Sequence, residues 1–577
     1  MIDYETFDGA VGHNWYRIDP ELRRLVRNGC PPEDAEWADA KLLELGELVG
    51  TRVAPNADVV DAHPPRLVRY DRWANDVDEV EHHPAMLDSK RALWENGYVS
   101  GFAADERTRG RTTPGVVIAG AHYLVSQADT GLVCSMGMTS GVAGLVDAYA
   151  PPGVRDQLLA GLRADNIESG IDGSMFLTER DGGSDLGRTV HCTARDIGDG
   201  RVRIDGEKWF CSNVDGEAIA ILARPAGAAE GSAGLGLYLV PGHLEDGSRN
   251  LFTIRRLKDK LGTKSVPTAE VEFHGALGYA LRAYSGGGGS SDARGLHRMM
   301  EMVNGSRFGV AMMGLGIARR CFLESAVWAH HRKVRGRLLV DLPLVREQLV
   351  DLLVELEGAM ALGFECALAS RRDDGDRLRR ILVPAAKARL CRFGVEAASA
   401  TIELFGGNGY CEDWGLTRQL RDAQCHPIWE GSENVCVLDV LRAMRTDDAH
   451  ESMFARVADA LRIARDQAPS FVAPASEAIE RASAALARRI DDTLALERDQ
   501  AEARSAALAT RLVHTVSAAL LLEQSVDDPR KGLVALRYAR RHLIPESEWA
   551  DSIAAVAGRE LLAYEAIDEQ AAAKAAA

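Results

Sequence analysis

Three short stretches carry residue types that chemistry needs, at places where packing alone does not ask for them. In Trp429-Glu430-Gly431-Ser432 an aromatic and a carboxylate precede a glycine and a hydroxyl, and Pro427 disfavours helix just before them. Val435, Leu438 and Leu441 then recur on one face, so Ser432 reads as a helix N-cap. Glu430 therefore stands beside backbone amides that are free to meet a ligand. The plainer alternative is a capped helix with a solvated glutamate. The second stretch, Leu177-Thr178-Glu179-Arg180-Asp181-Gly182-Gly183-Ser184-Asp185, has glycines that let the backbone approach a ligand closely. Thr178 and Ser184 can donate to carbonyl or phosphate oxygens. In the third, Gly206-Glu207-Lys208-Trp209-Phe210-Cys211-Ser212-Asn213, two aromatics can flank a flat ring while Ser212 bonds its edge. Ordinary β-domain core is the alternative for Trp209.

Periodicity indicates the elements that must hold these residues. At 577 residues the chain is too long for one core, and about two to four structural units are expected. Residues 1–60 read as a polar extension with one helix at 37–49, marked by Leu42, Leu45 and Leu48. Residues 62–84, rich in Pro and His, read as a surface loop or arm. Poor ligand spacing argues against a metal at His63, His82 and His83. Helical character dominates from 86 to 162, with small residues at 136–144 that suit close helix approach. Near Ser174 the period changes. Val190, Cys192 and Ala194 alternate with polar residues, as do Val202 and Ile204 beyond Gly198-Asp199-Gly200, which predicts a hairpin. Further strands are expected at 218–222, 235–240, 252–257 and 269–273, and a Gly/Ser connector at 286–291. From about 296 the pattern is helical again, with a stripe of Val345, Leu349, Leu352, Leu356 and Met360, and a long helix at 382–405 broken by Gly406-Gly407-Asn408-Gly409. The expected class is α+β, mostly α. Its parts are an extension (1–60), a helical domain (61–173), a β-barrel or sheet domain (174–284), a four-helix bundle (292–445) and a helical extension (446–577).

Charge and cysteine usage narrow the function classes. The net charge of -17 repels nucleic acid and anionic membrane in bulk. Ten cysteines without a C-x-x-C pair, behind an N-terminus with no secretory pattern, read as reduced thiols of a cytoplasmic protein. No uncharged run of about 18 apolar residues is there to span a bilayer. Residues 451–577 hold 16 Lys/Arg against 20 Asp/Glu, without the basic excess usual in a DNA-binding domain. The run Arg530, Lys531, Arg537, Arg540 and Arg541, with Arg442 and Arg445, could still form a local stripe, or else a solvated helix face.

The order of helices, β insert and bundle, with T-E-x-x-x-G-S-D, K-W-F-x-S, G-G-x-G-Y and W-E-G-S in sequence, resembles the acyl-CoA dehydrogenase family over about residues 85–445. Arg307, ahead of Ala311 and Gly314, resembles the arginine of that family's E-R-x-x-x-A helix, although Ser306 replaces the acid. Pro64-Pro65-Arg66-Leu67-Val68-Arg69-Tyr70-Asp71, Arg256-Leu257-Lys258-Asp259-Lys260-Leu261-Gly262, Gly183, Trp429 in place of the usual Tyr, and the long C-terminal extension resemble its AidB-like alkylation-response branch.

The resemblance implies FAD as cofactor, held by Leu177, Thr178, Gly183, Ser184, Trp209, Phe210, Cys211 and Ser212 around the ring. Arg332 would pair with the pyrophosphate, Gly406, Gly407 and Gly409 would reach a neighbouring subunit's FAD, and Trp429, Ser432 and Asn434 would meet FAD again. Arg335 stands where the family's R-x-x-F-G has Phe. Arg307, Thr178 and Ser184 would bind substrate, and Glu430 would be the base that takes the α-proton of an acyl thioester. The related nitroalkane oxidases carry Asp there, so Glu430 favours thioesters. A homotetramer and an electron-acceptor flavoprotein are further implications. The alternative from the same branch is a flavoprotein with weak dehydrogenase turnover that binds and protects DNA.

Overall fold

A computed structural model of the chain describes residues 2–282, 295–545 and 553–576; the expected connector at 286–291 lies outside them. Two compact units result, one from Met1–Thr51, Pro114–Ala128 and Val310–Ala577, the other from Arg52–Thr113 and Asp129–Gly309.

The second unit is organised by strands. They are β1 (Arg66–Tyr70), β2 (Asp76–Glu81), β3 (Gly173–Phe176), β4 (Thr193–Gly198), β5 (Arg201–Ser212), β6 (Ala218–Pro225), β7 (Gly236–Pro241), β8 (Phe252–Leu257) and β9 (Thr268–Ala280). β3 to β9 form one sheet in the order β3-β6-β4-β5-β9-β7, with β8 on β9; an added β6–β7 pairing closes it into a barrel. The β4–β5 hairpin turns at the expected Gly-Asp-Gly, where Asp199 (φ 56°) and Gly200 (φ 73°) take the left-handed conformation of a tight turn. β6 reads as an unbroken apolar run because both its faces are covered. Ala218, Ala220 and Leu222 pack with Val142 and Val146 of the Thr130–Tyr149 helix, while Ile219, Ile221 and Ala223 fill the barrel.

One expectation fails here, and one strand went unread. Residues 62–84 are not a loop, because β1 and β2 pair antiparallel with Arg66 opposite Glu81 and Leu67 opposite Val80. Leu67 and Val80 pack on the barrel core, and Arg249 ties the hairpin down through the carbonyls of Val77 and Asp78 (both 2.7 Å). The alternation was hidden among charges. β3, four buried residues parallel to β6, was too short to show a period.

The first unit is helical. Pro343–Leu368 and Glu433–Asp447 both pack on Gly375–Phe405, and the later part of Gly295–His331 joins that helix, with Ser325 Oγ 2.9 Å from Thr401 Oγ1. A Cβ on Gly314 would come 2.7 Å from the Cα of Cys391, and one on Gly394 2.8 Å from the Gly314 carbonyl, so glycines set this helix spacing. The helix expected at 382 begins at Gly375 and continues through Pro384. Residues 1–60 hold more than the one helix expected, with Pro20–Gly29 and Ala54–Ala62 beside Ala35–Leu48. The buried charge of Glu21 and its half-buried partner Arg24 masked the apolar face of Pro20–Gly29, though Asp19 caps it (2.9 Å to the Leu22 amide) with Pro20 next. Among the described residues two helices, Thr130–Tyr149 and Arg498–Gln524, are long and apolar enough to cross a membrane, and 61% and 72% of their most apolar stretches are buried in the protein.

The basic run at 530–541 is neither a stripe nor a solvated face. Arg530, Lys531, Arg537 and Arg540 are buried. Arg530 pairs with Glu357 (2.6 Å), and Lys531 with Glu357 (2.6 Å) and Glu21 (3.0 Å). Arg537 bridges Glu347 and Asp351, Arg541 meets Asp351 and Glu355, and Arg540 donates to the Ala576 carbonyl (2.7 Å). These cations fasten the Pro529–His542 helix to Pro343–Leu368.

Candidate functional site

In the β unit, the second and third chemical stretches meet. The Trp209 amide donates to the Thr178 carbonyl (2.9 Å), so the turn after β3 is laid against the end of β5. Buried Glu179 sits beneath the turn, accepting from the amides of His191 (2.7 Å) and Cys192 (3.1 Å) and from the Lys208 ammonium (2.7 Å). Lys208, itself wholly buried, also donates to the Leu177 carbonyl (3.0 Å). A buried ion pair with this many hydrogen bonds fixes geometry more than it adds stability. Glu179 and Lys208 stand 29 positions apart, so no local pattern in the sequence marks them as a pair.

Alternation along β5 then sorts the remaining residues. Cys211 points into the barrel core, where burial pushes its thiol far above the ordinary range, so only its backbone is left for a ligand. Phe210 is 54% exposed, and Ser212 Oγ lies 2.9 Å from Thr268 Oγ1. Trp209 is half-buried with the Lys258 ammonium 3.7 Å from its ring centroid and the Arg180 guanidinium at 5.4 Å. Thr178 is half-buried, and Gly183 and Ser184 are exposed. An aromatic face, cations and outward hydroxyls and amides make a donor set suited to a flat, electron-poor, hydrogen-bonding ring such as a flavin. Arg307 is buried, 3.4 Å from Asn304 Oδ1, on the Gly295–His331 helix.

The helical unit carries two further groups. Arg332 is exposed, 5.8 Å from the Trp328 ring, which stacks on Phe405 at 4.5 Å; Trp414 meets both rings edge-on. Phe405 runs directly into Gly406 and Gly407, both exposed, so this stack brings Arg332 and the glycine break together. Gly409 differs: a Cβ there would lie 2.5 Å from the Ile402 carbonyl, so its smallness serves packing. Arg335, also exposed, takes the left-handed conformation (φ 51°) in the turn of a short hairpin.

The last group is the Glu430 turn. The Leu416–Ala423 helix ends in successive turns, with the Trp429 amide on the Cys425 carbonyl (3.1 Å). Glu430 (φ 55°) and Gly431 (φ 102°) are consecutive left-handed residues, a strain of about 1–2 kcal/mol at the non-glycine. Ser432 Oγ accepts from the Val435 amide (3.4 Å), capping Glu433–Asp447 as expected. Glu430 is half-buried, while Ser432 and Asn434 are exposed at the helix start. The Lys387 ammonium, wholly buried, donates to the Gly431 carbonyl. His426, also wholly buried, stacks on Trp429 at 5.4 Å, and burial, with the Lys387 charge second, lowers its pKa to about 3. Neither His426 ring nitrogen, nor Trp429 Nε1, finds a hydrogen-bond partner among the described residues. Such a cluster of orphaned polar atoms is unusual in a folded core and marks the turn as functional ground. Lys387 and His426 carried no local signal, since one looks like any helix lysine and the other precedes a proline.

Elsewhere the histidines of 62–84 are engaged. His82 pairs with Asp215 (2.8 Å), His83 accepts from the Ala85 amide (3.1 Å), and His63 stacks on His83. Among the described residues no cluster of His, Cys, Asp and Glu is arranged to hold a metal.

Comparison with known proteins places these groups in context. Residues 8–167 match the adaptive response protein AidB N-terminal domain, 174–276 the acyl-CoA dehydrogenase middle domain, and 293–445 its C-terminal domain. A relative named putative acyl-CoA dehydrogenase AidB, from Escherichia coli, is 33% identical over 443 residues, covering 75% of this chain and 78% of its own. Acyl-CoA dehydrogenase family member 11 of Caenorhabditis elegans is 32% identical over 450 residues, 75% and 71% of the two chains. The solved structure of Caenorhabditis elegans ACDH-11 in complex with C11-CoA superposes with a TM-score of 0.85 at 28% identity over 97% of both chains.

Proposed function

We propose that this chain, which belongs to the acyl-CoA dehydrogenase family, removes hydrogen across the Cα–Cβ bond of an acyl-CoA with Glu430 as the base. It is an FAD-dependent oxidoreductase, as its family is. The observation that carries the assignment is the Glu430 turn, a half-buried carboxylate on a strained left-handed residue directly ahead of a helix N-terminus. Strain of this kind persists only where surrounding contacts over-determine it, and it gathers at sites of chemistry.

Each group then has a task. Glu430 takes the α-proton, and the amides of the turn offer donors to the thioester oxygen as negative charge grows there. FAD, when bound, supplies the acceptor for the hydride that leaves the β-carbon. Thr178, Ser184 and Ser212 offer hydroxyls to the ring's polar edge, Trp209 and Phe210 give it an apolar wall, and Arg332 beside Gly406 and Gly407 offers a cation and open backbone to a diphosphate. An acyl-CoA substrate agrees with the C11-CoA bound to the Caenorhabditis elegans relative. Trp429, larger than the usual Tyr, narrows the acyl cavity. The electrons pass on to an acceptor flavoprotein, and we read the assembly as a homotetramer in which residues 406–409 serve a neighbour's FAD.

For the DNA-protecting alternative, the cations at 530–540 supply no exposed basic stripe, because they are buried against carboxylates and carbonyls. The test is anaerobic titration of the yellow protein with straight-chain acyl-CoAs from butyryl to palmitoyl. The unaltered protein bleaches with at least one of them, and Glu430→Gln keeps its FAD but does not bleach. Bleaching of that variant at the unaltered rate would remove Glu430 from the role of base.

A further inference from the structure

We propose that Lys387 is a positioning residue for the Glu430 turn, its ammonium tethering the peptide that aims the carboxylate. The inference rests on Glu430 being the base.

Lys387 lies on the Gly375–Phe405 helix with its side chain wholly buried. Among the described residues it has no carboxylate within ion-pair distance; its hydrogen bond goes to the carbonyl of Gly431. Burial of an ammonium without a counter-charge is strongly unfavourable. The other two wholly buried lysines of the described chain each have a glutamate, Lys208 with Glu179 and Lys531 with Glu357 and Glu21. The arrangement at Lys387 therefore does not serve stability, and its position says what it serves.

Gly431 is the second of the two left-handed residues, and Glu430 is the first. The peptide joining them and the carbonyl that follows decide where the Glu430 side chain points. A backbone pair in this sparsely populated region would relax by rotating those peptides, and a strong charge-assisted hydrogen bond on the Gly431 carbonyl opposes that rotation. Cys436, whose thiol is 3.7 Å from the same carbonyl, adds only a weak contact.

The ammonium also acts on charge. Around it stand the His426 ring from the turn, the Cys391 thiol on its own helix, and, beside Cys391, the thiols of Cys425 and Cys436 and the carboxylate of Glu433. Burial keeps His426 neutral and pushes the Cys391 thiol up to about 12. Glu433 is taken by Arg392 at 2.9 Å. By charge alone, a cation beside the turn favours the ionised form of a carboxylate on it.

The test uses the full-length yellow protein and the straight-chain acyl-CoA that bleaches it fastest. Lys387→Met keeps the apolar stem and removes both charge and donor. At saturating acyl-CoA its bleaching rate falls about 100-fold, the loss expected when a reacting group is misplaced by an ångström. The half-saturating concentration stays within about 2-fold, since bound substrate does not touch Lys387, and the midpoint of the rate–pH curve moves upward as the cation is lost. Bleaching by Lys387→Met at the unaltered rate, with the unaltered midpoint, overturns the proposal. Gly431→Ala strains the same peptide by a second route and shows the same fall in rate without loss of affinity; a change confined to affinity counts against the tether. The two assignments separate cleanly. If Glu430→Gln bleaches normally, the base is wrong, whereas a dead Glu430→Gln beside a normal Lys387→Met condemns the tether alone.

Discussion

Lys531 and Lys387 are both wholly buried in the helical unit, yet their surroundings are opposite. Lys531 belongs to a seam in which Arg24, Arg530 and Lys531 share Glu21 and Glu357 at 2.6–3.0 Å. Lys387 has a peptide carbonyl, a strained glutamate followed by a left-handed glycine, and an imidazole whose nitrogens are unpartnered among the described residues. A seam of matched charges can be broken only at the cost of stranding a partner, so it specifies how the last helices dock. An unmatched cation in a strained turn specifies little about docking and much about one carboxylate. Within the helical unit, the paired lysine belongs to architecture and the unpaired one to the site.

The comparison is easiest to break at the seam. Glu357→Ala leaves Arg530 and Lys531 with one fewer counter-charge in the core, and about 3–5 kcal/mol of stability should go, read by urea unfolding. The bleaching rate of the molecules that remain folded should not change. A loss below about 1 kcal/mol would show that water or rearrangement already serves these charges, and the contrast with Lys387 would fail.

Acid separates the two regions by a smaller effect. His426 is held near 3 against an ordinary 6.5 by burial and then by Lys387, so the folded protein takes up this proton less readily than the unfolded chain. Its contribution is complete above about pH 6.5 and is lost as pH falls toward 3. For Glu21 and Glu357, burial would raise the pKa, but the neighbouring Arg and Lys charges outweigh it and hold both below the ordinary 4.5. Their contribution is therefore complete above about pH 4.5 and is lost only below it. His426→Phe should flatten part of the stability–pH slope between pH 6.5 and 4.5, with His122, His330 and His514, each lowered chiefly by removal from water, keeping the rest. Glu357→Ala should change the curve's shape only below that window. An unchanged slope in His426→Phe would mean that the ring is protonated and solvated in the folded state.

The smallest effect concerns the cap. Ser432 Oγ is 3.4 Å from the Val435 amide, a long bond, so Ser432→Ala should cost about 0.5–1 kcal/mol in thermal unfolding. A larger loss would make the cap, rather than Lys387, the main restraint on the turn.

Much of the fold was legible where one residue's neighbours in sequence are also its neighbours in space. The β4–β5 hairpin, the Ser432 cap and the break after Phe405 all follow from turn residues and periods within a dozen positions. Failures came where that condition lapses. β1 and β2 were too short and charged to display their alternation, and the face of the Pro20–Gly29 helix includes Glu21, whose partner Lys531 arrives from the far end of the chain. At the site, residue types named Glu430, Thr178, Trp209 and Arg332 by resemblance, but could not tell Cys211, facing the core, from Phe210, facing out, or Gly409, needed for packing, from Gly406 and Gly407.

By itself, then, the sequence determined the class, the order of domains and the chemical identity of the candidate base, because these depend on residue type and short-range pattern. Only the tertiary structure decided which charges are matched. Lys387 and Gly431 are 44 positions apart, and Lys531 and Glu357 are 174 apart. The energy of a buried charge depends on the groups within a few ångströms of it, which no window of sequence contains. That is why a basic run became a structural seam and an unremarked lysine came to hold the Glu430 turn.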